Sequence, residues 1–196
     1  NFASIVAAIE EGRSIYANIQ KYLRYLLATN LGEVVVMFFG VVAAGLLGIT
    51  AAAGEGLVLP LTATMILWIN LVTDSGPALA VGIDPASPRL MQRPPRDPTL
   101  GIITPAMWRG IGVVAAVMGI GTLGVLDAAL PGGLFTGDGS IEHARTLAFH
   151  TLVLFSLVTV FAVRSDQASV ARDLFSNGWL WLAIAVSLAP QLAGLY

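Results

Sequence analysis

Asn70, Thr73 and Asp74 stand at i, i+3 and i+4 in the run from Ile66 to Pro77, Ile-Leu-Trp-Ile-Asn-Leu-Val-Thr-Asp-Ser-Gly-Pro. On a helix that spacing puts an amide, a hydroxyl and a carboxylate on one face. The run lies within a long apolar segment, where an ionised Asp is disfavoured by roughly 2.5–3.5 kcal/mol. Such a group requires a partner, a proton or an ion. Gly76-Pro77 follows directly. Proline lacks an N–H, so a carbonyl one turn earlier loses its helical donor. At the broken helices of membrane transporters such carbonyls face bound cations, and the same use is expected here.

A second polar break, Thr29-Asn30-Leu31-Gly32-Glu33, interrupts the preceding apolar run. Asn30 and Glu33 are i, i+3 neighbours. Glu33 and Asp74 are the only acidic residues deep within the expected membrane spans. If the first two spans pack as an antiparallel hairpin, Asn30, Glu33, Asn70, Thr73 and Asp74 converge. Hard cations such as calcium take about six to eight oxygen ligands of this kind. With no cysteine, no deep pair of histidines and no methionine cluster, copper and zinc are disfavoured. A single Asn or Thr in a span is more often glue between helices. Two carboxylates with no buried Lys or Arg point instead to ion or proton handling. His150 is expected to be a hydrogen-bonded packing residue, and His143 a solvated loop residue.

The elements that would position these groups are apolar. The chain is 56% hydrophobic and 11% charged, with a mean hydropathy of +0.80. Soluble domains are nearer about 25% charged. The composition implies an all-α, polytopic membrane helix bundle. Five stretches reach the about 20 residues needed to span: 22–49, 57–81, 106–130, 144–163 and 178–196. Residues 1–21 read as an amphipathic cytoplasmic stalk helix, with Glu10, Glu11, Arg13 and Lys21 alternating with Ile5, Val6, Ile9, Ile15 and Ile19. Residues 22–196 form the transmembrane domain. Gly40, Ala44 and Gly48 on span one, and Gly112, Ala115, Gly119 and Gly121 on span three, predict close helix approach.

Of the 10 basic residues, all but Arg145 fall on one side of this topology. The positive-inside rule makes that side, and the N-terminus, cytoplasmic. The opposite side holds Gly54-Glu55-Gly56 and the acidic loop Pro131–Glu142. The connector from Asp84 to Pro105 carries six prolines and three arginines. It reads either as a topology anchor or as a docking strut for a cytoplasmic domain. A net charge of −2 gives no sign of a nucleic-acid partner. The opening Asn1-Phe2 has neither an initiator Met nor a basic region before an apolar core, so it is not a signal peptide. The chain is expected to be cut from a longer protein at both ends.

Four stretches, in order, resemble the cation-transporting P-type ATPases, most of all the sarco/endoplasmic-reticulum-type calcium pumps and their bacterial relatives. Asn1 to Tyr16 is similar to the segment joining the phosphorylation domain to the fifth transmembrane helix. Thr29–Glu33 resembles the ion-binding stretch of that helix, Leu67–Asp74 the sixth helix, and Met91-Gln92-Arg93-Pro94-Pro95-Arg96 the loop after it. The likeness is close to about Pro105 and diffuse beyond. It implies that the five spans are family helices five to nine. It further implies a first calcium site from Asn30, Glu33, Thr73 and Asp74, with Asp74 bridging to a second site that contains Asn70. Aligned through Val163-Arg164-Ser165, Ser156 stands where the family's eighth helix supplies an acid.

The resemblance also implies what lies elsewhere. The first four helices and the actuator, phosphorylation and nucleotide domains, which bind Mg2+ and ATP, would precede Asn1, and a tenth helix would follow Tyr196. No catalytic residue is expected in this chain, which alone would be inactive. The expected function is the ion-binding part of an ATP-driven pump that exports Ca2+ from the cytoplasm across the plasma membrane in exchange for protons. The alternatives are a pump for Mn2+, Na+, K+ or Mg2+, and a truncated non-catalytic channel or scaffold.

Overall fold

The computed structural model describes residues 1–54, 59–86, 90–96, 101–135, 137–164 and 175–193. Glu55-Gly56, Pro88-Arg89, Pro98, Ser165, Arg172 and Tyr196, which figure in the reading above, lie outside the described residues. Among the described residues all regular structure is helical. The order is α1 (Phe2–Val42), α2 (Ile49–Ala53), α3 (Ala63–Trp68), a π-helical segment (Ile69–Asp74) and α4 (Ser75–Gly82). A short 3-10 turn (Leu90–Gln92), α5 (Pro105–Ala129), α6 (Ile141–Arg164) and α7 (Gly178–Ala193) follow.

Local chemistry sets the starts of these helices. The Asn1 side chain accepts from Ala3 N, Thr62 Oγ1 from Met65 N, and Thr104 Oγ1 from Met107 N, with Pro105 in the first turn. α1 contains no proline and runs unbroken for 41 residues, about 60 Å at 1.5 Å per residue. The amphipathic segment and the first apolar run are therefore one rod. The rod ends at Val42 rather than continuing to Ile49. Residues 43–48 turn instead, and Gly48 adopts φ +70°, a conformation that a side chain disfavours. A Cβ there would also lie 2.7 Å from Pro131 O.

α1, the 20-residue stretch Ala63–Gly82, α5 and α6 are each long and apolar enough to cross a membrane. α7 is shorter, with 16 residues and Pro190 inside it. α1 packs along α5, α5 along α6, and α4 against both α1 and α7. Tyr25, Val36, Ile69, Met118, Leu152 and Val160 meet in the shared core. Small residues permit the closest contacts. A Cβ on Gly119 would collide with Val35, and one on Gly121 would lie 2.6 Å from the Phe155 ring. Gly112, by contrast, has nothing within 4 Å. On the outside, Leu71, Leu79, Ile120 and Val158 are exposed. An apolar exterior on a bundle of internally bonded helices is the surface lipid demands.

The connector between α4 and α5 is strapped to α1. Arg13 Nη1 donates to Leu90 O (3.2 Å) and Arg93 O (2.8 Å). Gln20 Nε2 donates to Ile102 O at 2.7 Å, and the Arg96 guanidinium lies 4.6 Å from the centre of the Tyr16 ring.

Gly48→Ala is expected to destabilise the protein by about 1–3 kcal/mol, because it places a side chain in a left-handed turn. Gly45→Ala, whose Cβ would meet nothing closer than 3.9 Å, is the control. Thermal unfolding in detergent compares the two.

Candidate functional site

The site forms where α1 passes the broken second span. Tyr25, Thr29 and Glu33 follow one another at intervals of four and share the inward face of α1. All three are buried. Asn30 falls on the adjoining face. It is exposed, and its amide donates to Leu26 O at 2.7 Å.

Pro77 explains the break opposite. Without its N–H, Thr73 O has no donor at i+4. The chain widens into a π-helical turn over Ile69–Asp74, a distortion that often accompanies functional sites. Ser75 Oγ closes the wide turn by donating to Asn70 O at 3.0 Å. A donor for the released carbonyls comes from a neighbouring helix. Ser187 Oγ of α7 lies 3.2 Å from both Val72 O and Thr73 O and takes up that role. The small Gly76 allows the approach, since a Cβ on it would already stand 3.3 Å from Ala183 Cβ.

Glu33 and Asp74 lie on the same side of the bundle. Asn70 Nδ2 donates to Glu33 Oε2 at 2.6 Å and to Ile66 O at 3.1 Å. Tyr25 donates its hydroxyl proton to Asp74 Oδ1 at 3.0 Å. The hydroxyls of Thr29 and Ser156 lie beside the Asp74 carboxyl. Among the described residues the polar neighbours of the two carboxylates are an amide and hydroxyls, with no Lys or Arg side chain bonded to either. Glu33 Oε1, Thr73 Oγ1, Asp74 Oδ2 and Ser156 Oγ are buried without a hydrogen-bond partner. Unpartnered buried oxygens are rare and call for an explanation.

The structure thus brings five of the six candidates together: Glu33, Asn70, Thr73, Asp74 and Ser156. Asn30 is not brought in among the described residues. Tyr25, Thr29 and Ser187 also belong to the site; the sequence reading had Thr29 only as part of the polar break and named neither Tyr25 nor Ser187. The interval of four from Tyr25 to Glu33 was a usable signal for the first two. Ser187 had none, because its partners lie 114 and 115 residues away. Among the described residues no three His, Asp or Glu side chains converge; the oxygens beside the two carboxylates there belong to neutral groups. His150 stays out of the site, with Nδ1 2.7 Å from Thr146 O of its own helix.

Fold and site define a multi-pass helical membrane protein with a buried cluster of acidic and neutral oxygens. The family described as cation transporting ATPase, C-terminus, matches residues 58–196. The calcium-transporting ATPase of Bacillus subtilis is 39% identical over 196 residues, covering 100% of this chain and 20% of that protein. Calcium-transporting ATPase 1 of Lactococcus lactis is 34% identical over 190 residues, covering 96% and 20%. The probable cation-transporting ATPase F of Mycobacterium tuberculosis is 32% identical over 197 residues, covering 100% and 20%. The chain belongs to the cation-transporting P-type ATPases and corresponds to their C-terminal region. It spans about one fifth of the length of these curated relatives.

Ser187→Ala would strip the released carbonyls of their donor. We expect a loss of about 1–3 kcal/mol for a buried polar group left unpaired, read as a lower melting temperature in detergent. Ser187→Thr, which keeps the hydroxyl, should recover most of it.

Proposed function

We propose that this chain is the ion-binding membrane part of an ATP-driven pump that moves Ca2+ out of the cytoplasm and returns protons. The observation that carries the reading is the set of buried, unpartnered oxygens on Glu33, Thr73, Asp74 and Ser156. They sit between helices with no Lys or Arg among the described residues bonded to them, so a cation or a proton is the natural counterpart. Oxygen ligands suit a hard ion such as calcium, and two of the relatives above carry calcium transport in their names. Calcium and protons compete for the same carboxylate oxygens, which makes exchange the economical mechanism. Asn70 adds its side-chain oxygen once its amide is oriented by Glu33. Asn30, exposed on the adjoining face of α1, stays in the proposed ligand set through its spacing from Glu33 and the family resemblance.

In this reading residues 1–21 are the cytoplasmic stalk, residues 22–196 the transmembrane domain, and the host membrane is the plasma membrane. The partners are lipid and the remainder of the pump: four further helices and the domains that bind Mg2+ and ATP and form the phosphoenzyme. Calcium release to the outside would follow phosphorylation there, with α1 carrying the movement to Glu33. A second reading, the same class of pump with another cation, is favoured by one observation: Ser156 supplies a hydroxyl where the resemblance implies an acid.

Asp74→Asn and Glu33→Gln in the full-length protein are each expected to abolish calcium-dependent phosphorylation from ATP, or to raise the calcium requirement by roughly a hundredfold, with expression unchanged. Near-normal calcium affinity in both variants would refute the ligand assignment. Ser156→Glu should tighten calcium binding. If manganese or another cation stimulates phosphorylation where calcium does not, the second reading replaces the first.

A further inference from the structure

Asp84 lies just past the end of α4, ten residues beyond Asp74, and it is buried. Four side chains from three other helical regions converge on it. Lys21 of α1 reaches Oδ2 at 2.8 Å. Arg164 of α6 reaches Oδ1 through Nη2 at 2.8 Å and through Nε at 3.0 Å. Asn177, which precedes α7, donates to Oδ1 at 3.1 Å. Asn18 of α1 donates to the Asp84 carbonyl at 2.7 Å. Asn177 is bonded twice more: it donates to Ala80 O at 2.9 Å and accepts from Leu180 N at 3.1 Å, capping α7. Arg164 also holds Ser176 Oγ at 2.8 Å.

The placement matters because of what lies above it. α4 has eight residues, about 12 Å of helix. Its upper end is the π-helical turn that carries Asp74, where the regular backbone ladder is broken. The ladder therefore does not set how Asp74 is turned relative to α1. Side chains from other helices do so at both ends, Ser187 at the top and the Asp84 cluster at the bottom. Lys21 belongs to the same rod as Glu33, so the cluster ties the two carboxylate-bearing helices to each other.

We propose that Asp84 is a positioning residue: by gathering Lys21, Arg164 and Asn177 on one carboxylate, it fixes the end of α4 and so the place of Asp74 opposite Glu33. The proposal rests on the cation-binding reading of that pair. Burial by itself pushes the Asp84 carboxyl up, but hydrogen bonds from Lys21 and Arg164, the Lys21 charge and the Asn177 amide outweigh it. Together they hold the group below its ordinary value. The latch is therefore ionised at neutral pH. Its contribution is complete above the ordinary carboxylate range and is lost as pH falls through the depressed value.

The test uses the full-length protein and two readouts. In Asp84→Asn, the calcium concentration for half-maximal phosphorylation from ATP should rise roughly ten- to a hundredfold, the effect of losing a supporting partner of a metal ligand. The maximal phosphoenzyme level should stay unchanged. Adding Lys21→Met to Asp84→Asn should shift the requirement by less than the two single effects combined, since both break one contact. Spin labels on Ile19→Cys and Leu79→Cys, both exposed sites, in a background otherwise free of cysteine, report the spacing of α1 and α4. Asp84→Asn should broaden that distance distribution. An unchanged distribution overturns the proposal whatever the calcium dependence, as does a lower phosphoenzyme level with unchanged half-saturation. If the wild-type protein shows no calcium-dependent phosphorylation, the calcium reading fails, and the spin labels still decide for or against the latch.

Discussion

Two carboxylates taken out of water beside each other, with no basic side chain among the described residues bonded to either, are the constraint around which this bundle is built. Asp84 shows what the same chemistry looks like when the protein neutralises it internally. That carboxylate accepts from Lys21, Arg164 and Asn177. Among the described residues Asp74 accepts from the Tyr25 hydroxyl and Glu33 from the Asn70 amide, and each keeps a buried oxygen without a hydrogen-bond partner. An internal ion pair would have satisfied those oxygens and closed the site to any other cation. In the proposed pump, the difference between the two environments separates a structural carboxylate from one that takes a cation or a proton.

Pro77 governs the shape of the site. Removing one N–H from a membrane helix frees a carbonyl that lipid cannot satisfy. The chain responds by widening the turn at Ile69–Asp74 and by borrowing Ser187 from α7. The wide turn draws Thr73 and Asp74 into the interior, where both are buried. α7, which contributes no ionisable group among its described residues, thereby becomes necessary to the site. It holds α4 at one end through Ser187 and at the other through Asn177.

α1 is the element common to everything described. Going along it from the N-terminus, Arg13 and Gln20 hold the connector, Lys21 holds Asp84, and Tyr25, Thr29 and Glu33 line the site. A continuous helix transmits displacement along its axis because its backbone bonds are internal and close-spaced. In the proposed pump, movement applied at the start of α1 reaches connector, latch and carboxylates in one stroke, with no flexible joint between them.

The sequence by itself determined the bundle of apolar helices, the polar breaks within the first two spans, and four of the residues that meet at the site, Glu33, Asn70, Thr73 and Asp74. These rest on local rules: hydropathy over a window, the helical repeat, and the missing donor of proline. It also placed Glu33 and Asp74 on neighbouring helices, and the contacts through Asn70 and Tyr25 agree. Rotation of each helix about its own axis was decided only by tertiary packing. That rotation set Tyr25, Thr29 and Glu33 inward and left Asn30 on the adjoining face, a choice that i, i+3 spacing cannot make. Long-range partners were likewise invisible in the sequence. Ser187 at the freed carbonyls and Arg164 at Asp84 come from segments far along the chain, and nothing in a local pattern records which distant helix will lie alongside.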